Sequence, residues 1–140
     1  MKLRSYYTLA LLLSCAATTI VLRADEVTTQ EQGTRSGSVL EAQSMAELKS
    51  IIANNANVVV DVYGSWCGPC KKMAPEFAKL PGTFSNIVFV KIEVEQVDNS
   101  FGNIRSVPTL ICFKNGQKVN VSAGSKSFNE LQKYVSSIFQ

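Results

Sequence analysis

The chain has 140 residues, 46% hydrophobic and 18% charged, which suits one globular domain with a buried core plus a short extra segment. Its formal charge of +3 belongs to the N-terminus: setting aside Lys2, Arg4 and Arg23 leaves 11 of the 14 basic residues, against 11 acidic ones. That neutrality removes the electrostatic footprint for nucleic acid, and the absence of histidine removes Ser-His and Cys-His nucleophile pairs and histidine-bearing zinc sites.

Residues 5–22, SYYTLALLLSCAATTIVL, carry no charge and follow Lys2 and Arg4. A basic flank before an apolar run reads as a signal peptide or signal anchor over residues 1–23. The run is apolar all round, unlike a surface helix, and is near the lower length limit for a bilayer span. Three fates are open: cleavage after Ala24, retention of residues 5–22 as a membrane tether, or lipidation at Cys15 within LLSC. Each places the rest of the chain outside the cytoplasm, whether periplasmic, secreted or anchored facing outward. Residues 24–37, ADEVTTQEQGTRSG, are polar and aperiodic and read as a flexible linker to a domain over residues 38–140.

Ser44 and Glu47 fit a capping box, and Met45, Leu48, Ile51 and Ile52 share a face, so a helix begins at Ser44. NVVVDVYG gives a buried strand at 57–63. The pair Cys67 and Cys70 follows directly, in WCGPC. Beyond it Met73, Phe77 and Leu80 recur at helical spacing, with Pro81-Gly82 as the expected stop. NIVFVKIEV is a second buried strand at 86–94, and residues 95–106 are irregular. Asn115-Gly116 joins VPTLICF to KVNV as a hairpin. SFNELQKYVSSIF carries another Ser-x-x-Glu box, with Phe128, Leu131, Val135 and Ile138 on one face. Alternating strands and helices make a parallel sheet covered by helices, to which the hairpin adds antiparallel strands.

In this order Cys67 falls just after a strand, at the first turn of a helix. Unsatisfied amides and the positive end of the helix dipole favour a thiolate there. Cys67 is therefore expected to be the acidic, exposed nucleophile, with Cys70 one turn in and shielded. Gly68 and Pro69 keep the turn tight. Zinc would need a second ligand pair, and Cys112 stands alone in a strand as a small buried hydrophobe. A disulfide closing so short a loop would constrain little of the unfolded chain. Redox chemistry is the remaining use of the pair. Asp61 interrupts an apolar strand. Buried and unpaired, it would have a raised pKa and accept a proton from Cys70; otherwise it is a hydrogen-bonded or edge-exposed structural aspartate.

DVYGSWCGPCKKMAPEF, IRSVPTLICFKNGQ and Gly124 resemble the thioredoxin family, with matches spread over residues 38–140. The resemblance implies an α/β thioredoxin fold, a central mixed sheet of four or five strands flanked by helices. It implies a disulfide reductase in which Cys67 attacks a substrate disulfide and Cys70 resolves the mixed disulfide, leaving a redox-active Cys67–Cys70 disulfide. It favours Asp61 as proton acceptor and makes Lys91 its partner, against the reading of Lys91 as a surface lysine. Pro108 resembles the family's cis-proline, which presents the backbone of the preceding residue, Val107, to substrate. Trp66, Gly68, Pro69, Val107, Pro108 and Gly124 would form the docking surface, although Trp66 could instead pack in the core. Pro75 should orient the start of its helix.

No cofactor is implied beyond the cysteine pair, and no metal. Implied partners are disulfide-containing proteins and an electron donor, such as a thioredoxin reductase or a membrane thiol transporter; the chain is expected to be monomeric. The segment between Lys91 and Pro108 is a little shorter than in the bacterial cytosolic form, which bears on partner choice. An extracytoplasmic oxidase or isomerase, and a non-catalytic binding module, are the competing functions.

Overall fold

A computed structural model of the chain describes residues 37–140. The signal or anchor segment, Cys15 and all but the last residue of the linker lie outside the described residues. Among the described residues, no helix is long and apolar enough to cross a membrane.

The elements run β1 (Leu40–Ala42), α1 (Met45–Asn54), β2 (Asn57–Tyr63), α2 (Gly68–Phe77), α3 (Leu80–Thr83), β3 (Val88–Glu93), β4 (Thr109–Lys114), β5 (Gln117–Ala123) and α4 (Phe128–Phe139). Two 3-10 turns, Val94–Gln96 and Asn99–Phe101, occupy part of the stretch expected to be irregular. One sheet holds all five strands in the order β1-β3-β2-β4-β5. β3 runs parallel to both β1 and β2, while β4 is antiparallel to β2 and β5 to β4. This is the expected mixed sheet flanked by helices. Its parallel part comes from helical crossovers; the hairpin strands β4 and β5 make its antiparallel part, β4 pairing with β2.

Alternation along the strands sorts the core into two layers. Val58, Val60 and Val62 pack with Leu48 and Ile52 of α1. Val59 and Phe89 pack on the other face with Met73 and Phe77 of α2 and Leu131 and Val135 of α4. By the same parity Asp61 and Tyr63 of β2, Lys91 of β3 and Glu41 of β1 belong to the α2 face. A buried apolar sheet thus carries a charged corner next to the start of α2.

Local signals explain most element ends. The Ser44 hydroxyl accepts from the Glu47 amide at 3.2 Å, but Glu47 reaches back to the Gln43 amide at 2.8 Å instead of closing the box on Ser44. At α4 both halves of the box form between Ser127 and Glu130. Asn115 and Gly116 both have positive φ, 49° and 77°, as a two-residue hairpin turn requires.

Two expectations are corrected. α2 ends at Phe77 instead of running to Pro81-Gly82; Pro81 lies in the first turn of α3, where a missing N–H costs nothing. The second buried strand is Val88–Glu93 instead of 86–94. β1 is the short strand that precedes the first helix, at Leu40–Ala42.

Candidate active site

β2 ends at Tyr63, and residues 64–66 turn the chain into α2. The Cys67 amide donates to the Gly64 carbonyl at 3.0 Å, closing that turn. Cys67 is the N-cap of α2, and its Sγ accepts from the Cys70 amide at 3.2 Å. The sulfur occupies the place of a capping oxygen, facing the amides that the first turn leaves free. One turn later Cys70 brings its sulfur back to Cys67, and the two form a disulfide with Cα atoms 5.3 Å apart. Pro69 stands in the first turn and Pro75 inside α2 without ending it.

The two cysteines are less different in exposure than expected. In this disulfide form Cys67 is 4% exposed and Cys70 3%. The asymmetry is in their surroundings instead. Cys67 adjoins exposed Trp66, Gly68 and Pro69, and its Sγ is 3.6 Å from the Val107 carbonyl oxygen. Cys70 faces inward and lines a cavity of about 210 Å³ with Asp61, Lys91, Lys71 and Tyr63.

Asp61 is buried, 4% exposed. Among the described residues, its Oδ1 is the one buried side-chain nitrogen or oxygen without a hydrogen-bond partner. Burial pushes its pKa from 3.8 up to about 7, and the charge of Lys91 offsets this only in part. Asp61 is thus neither edge-exposed nor hydrogen-bonded through Oδ1. Asp61 and Cys70 share a cavity with room for water, through which a proton can pass between them.

Lys91 is not bonded to Asp61 as the resemblance implies. It is Asp61's register partner across β2 and β3, but its Nζ pairs with Glu41 of β1, 3.1 Å away. Burial explains the choice: Glu41 keeps access to water and ionises at little cost, whereas a charge on Asp61 has to be desolvated.

The Val107–Pro108 peptide bond is cis, with Pro108 buried and Val107 half-buried. Gly124 has φ of 96° and its amide donates to the Pro108 carbonyl at 2.8 Å, joining the end of β5 to the proline loop. Trp66 is 67% exposed and is not a core residue. Its indole N–H donates to Glu95 at 2.9 Å, and its ring lies against Gly64, where a Cβ would stand 2.8 Å from Cε2. The Ser125 hydroxyl donates to the Pro69 carbonyl at 3.3 Å. Glu41, Glu95 and Ser125 carried no sequence signal, because each contact depends on how separate loops or strands come together.

Cys112 is buried and free. Its thiol donates to the Tyr134 hydroxyl over 3.6 Å, and burial pushes its pKa up to about 11, which makes it inert. Among the described residues, no group of three or more His, Cys, Asp or Glu could hold a metal ion.

Comparison with known proteins agrees with this geometry. The thioredoxin family model matches residues 38–137. Thioredoxin 1 of Plasmodium falciparum is 40% identical over 84 residues, 59% of this chain and 81% of that protein. Thioredoxin-1 of Schizosaccharomyces pombe is 34% identical over 89 residues, 62% and 86% of the two chains. The solution structure of oxidised Plasmodium falciparum thioredoxin superposes with a TM-score of 0.66 at 34% identity, covering 74% of this chain and all of that one. The crystal structure of Schistosoma mansoni thioredoxin gives 0.66 at 31%, covering 74% and 98%.

Proposed function

From the premise that the chain belongs to the thioredoxin family and is a thiol–disulfide oxidoreductase, we propose that it is a protein-disulfide reductase worked by Cys67, Cys70 and Asp61. The observation that carries this reading is the junction of β2 and α2. A capping sulfur faces free helix amides there, with a partner thiol that shares a cavity with a buried, protonatable carboxyl.

The Cys67 thiolate attacks one sulfur of a substrate disulfide. The substrate S–S bond breaks, a Cys67–substrate disulfide forms, and the departing substrate thiolate takes a proton from solvent. Cys70 then gives its proton to the Asp61 carboxylate and attacks Cys67 Sγ. The second substrate thiolate leaves and the Cys67–Cys70 disulfide closes, so two electrons have passed to the substrate. A carboxyl titrating near 7 suits this task, being partly ionised at neutral pH and still basic enough to take a thiol proton. Trp66, Gly68, Pro69, Val107, Pro108 and Gly124 form the surface on which the substrate segment lies, with Val107 offering its backbone.

Thioredoxins act on disulfide substrates and are reduced by thioredoxin reductase. The sequence of residues 1–23 supports a location outside the cytoplasm, with a membrane tether if the segment is retained; the electron donor would then be a membrane thiol transporter. Sequencing the N-terminus of the protein purified from its source tests this placement.

The direction of electron flow is tested by the redox potential of the Cys67–Cys70 pair, measured by equilibration with a dithiol buffer. The expected value is about −270 mV, as for thioredoxin. A potential above roughly −180 mV would assign the pair to oxidation or isomerisation instead.

A further inference from the structure

Three strands place a row of charge on the α2 face. Glu41 of β1 is in register with Lys91 of β3, and Lys91 with Asp61 of β2. One cation thus stands between two carboxylates, and its nearest partner decides the environment of the other. Nζ of Lys91 lies 3.1 Å from Oε2 of Glu41. The second oxygen of Glu41, Oε1, accepts from the Tyr63 hydroxyl at 2.8 Å. The Tyr63 ring also faces the ammonium, 5.4 Å from Nζ to its centroid. Glu41 and Tyr63 together hold the lysine on the β1 side, while Oδ1 of Asp61 stays unpartnered.

We propose that Glu41 is a positioning residue for disulfide exchange: by drawing Lys91 towards β1 it keeps a direct cation off Asp61, so that Asp61 can take up the proton of Cys70 at neutral pH. This rests on the reading of Asp61 as the base. Were Lys91 bonded to Asp61, the carboxylate would be stabilised and would become a poor proton acceptor.

The other groups facing Asp61 do not supply this effect. From α2 come Cys70 and Lys71, which line the same cavity. β3 adds Lys91 and, two residues further along, Glu93; β2 adds Tyr63. β4 places uncharged Leu110 opposite Asp61. Lys91 is the cation whose charge bears on Asp61, and Glu41 is its ion-pair partner. Glu41 itself is held below the usual carboxylate range by the Tyr63 hydroxyl first and Lys91 second.

The test is a double-mutant cycle on the reduced full-length protein, reading the Asp61 carboxyl by carbon NMR across pH. Glu41→Gln keeps an acceptor for Tyr63 but releases Lys91, and is expected to lower the Asp61 midpoint by roughly one pH unit. In the Lys91→Met background the same change should have little effect, because no lysine remains to be positioned. The rising limb of insulin-disulfide reduction against pH should move down together with the Asp61 midpoint. An unmoved midpoint in Glu41→Gln would overturn the proposal and leave Asp61 as the base. So would an equal shift with and without Lys91, which would mean that Glu41 acts through its own charge. A midpoint that moves while the rate profile stays fixed would overturn Asp61 as the base, and this proposal with it.

Discussion

Cys67→Ser is expected to lower insulin-disulfide reduction by at least about three orders of magnitude, the scale on which losing a covalent nucleophile acts. A serine hydroxyl at the N-cap of α2 still accepts from the Cys70 amide, so the helix start survives. It cannot form or accept a disulfide, and the exchange has no first step. Cys70→Ser should differ in kind: Cys67 keeps its cap position and attacks once, and the reaction halts at a Cys67–substrate disulfide detectable by mass spectrometry. Loss of the Cys67–Cys70 bond should cost little stability, because it closes a loop with only Gly68 and Pro69 between the cysteines. The activity losses are therefore chemical. Full activity without Cys67 would show that the exchange does not run through this sulfur.

Asp61→Asn should have two effects with a common origin. The buried carboxyl titrates near 7, against 3.8 as its ordinary value. Between these values the folded protein holds a proton that the unfolded chain has lost. The stability associated with Asp61 is therefore fully present below about pH 4 and is lost progressively as pH rises to about 7. Asparagine does not titrate, so the gap between variant and native protein should widen in favour of the variant from pH 4 to pH 8. Its size is on the order of 4 kcal/mol, measured by denaturant unfolding at each pH. The variant also lacks a proton acceptor for Cys70. Turnover at pH 7 should fall about a hundredfold, and the rate should lose its dependence on a group titrating near 7. A stability difference that is flat with pH would show that Asp61 titrates in the fold as it does in the unfolded chain, near 3.8.

The positions of the site residues were more legible than the contacts between them. Cys67, Cys70 and Asp61 could be read because their signals are local: a strand that ends, a helix that starts, and one carboxylate in an apolar run. The hairpin at Asn115-Gly116 and the cap at Ser127 were readable for the same reason. Lys91 is in register with Asp61 but pairs with Glu41, and nothing in the spacing says that β1 lies next to β3 and brings Glu41 with it. Pro81-Gly82 misled because proline is equally at home after one helix and at the start of the next, which is where it lies in α3. The exposure difference between the cysteines was inferred from one position inside α2 against one at its tip, and the closed disulfide largely removes it. Trp66 gave no sign of its orientation, which is set by Glu95 in the turn after β3.

Exchange at this site depends on Cys67 being the thiol that ionises first, because its sulfur faces the free amides of α2 while Cys70 turns to the interior. Alkylating the reduced protein with iodoacetamide across pH, and assigning the modified cysteine by mass spectrometry, measures this directly. The expected result is modification at Cys67 with a midpoint clearly below the roughly 8.5 of a free thiol, while Cys70 stays unmodified. A midpoint at or above that value, or Cys70 reacting first, would contradict it.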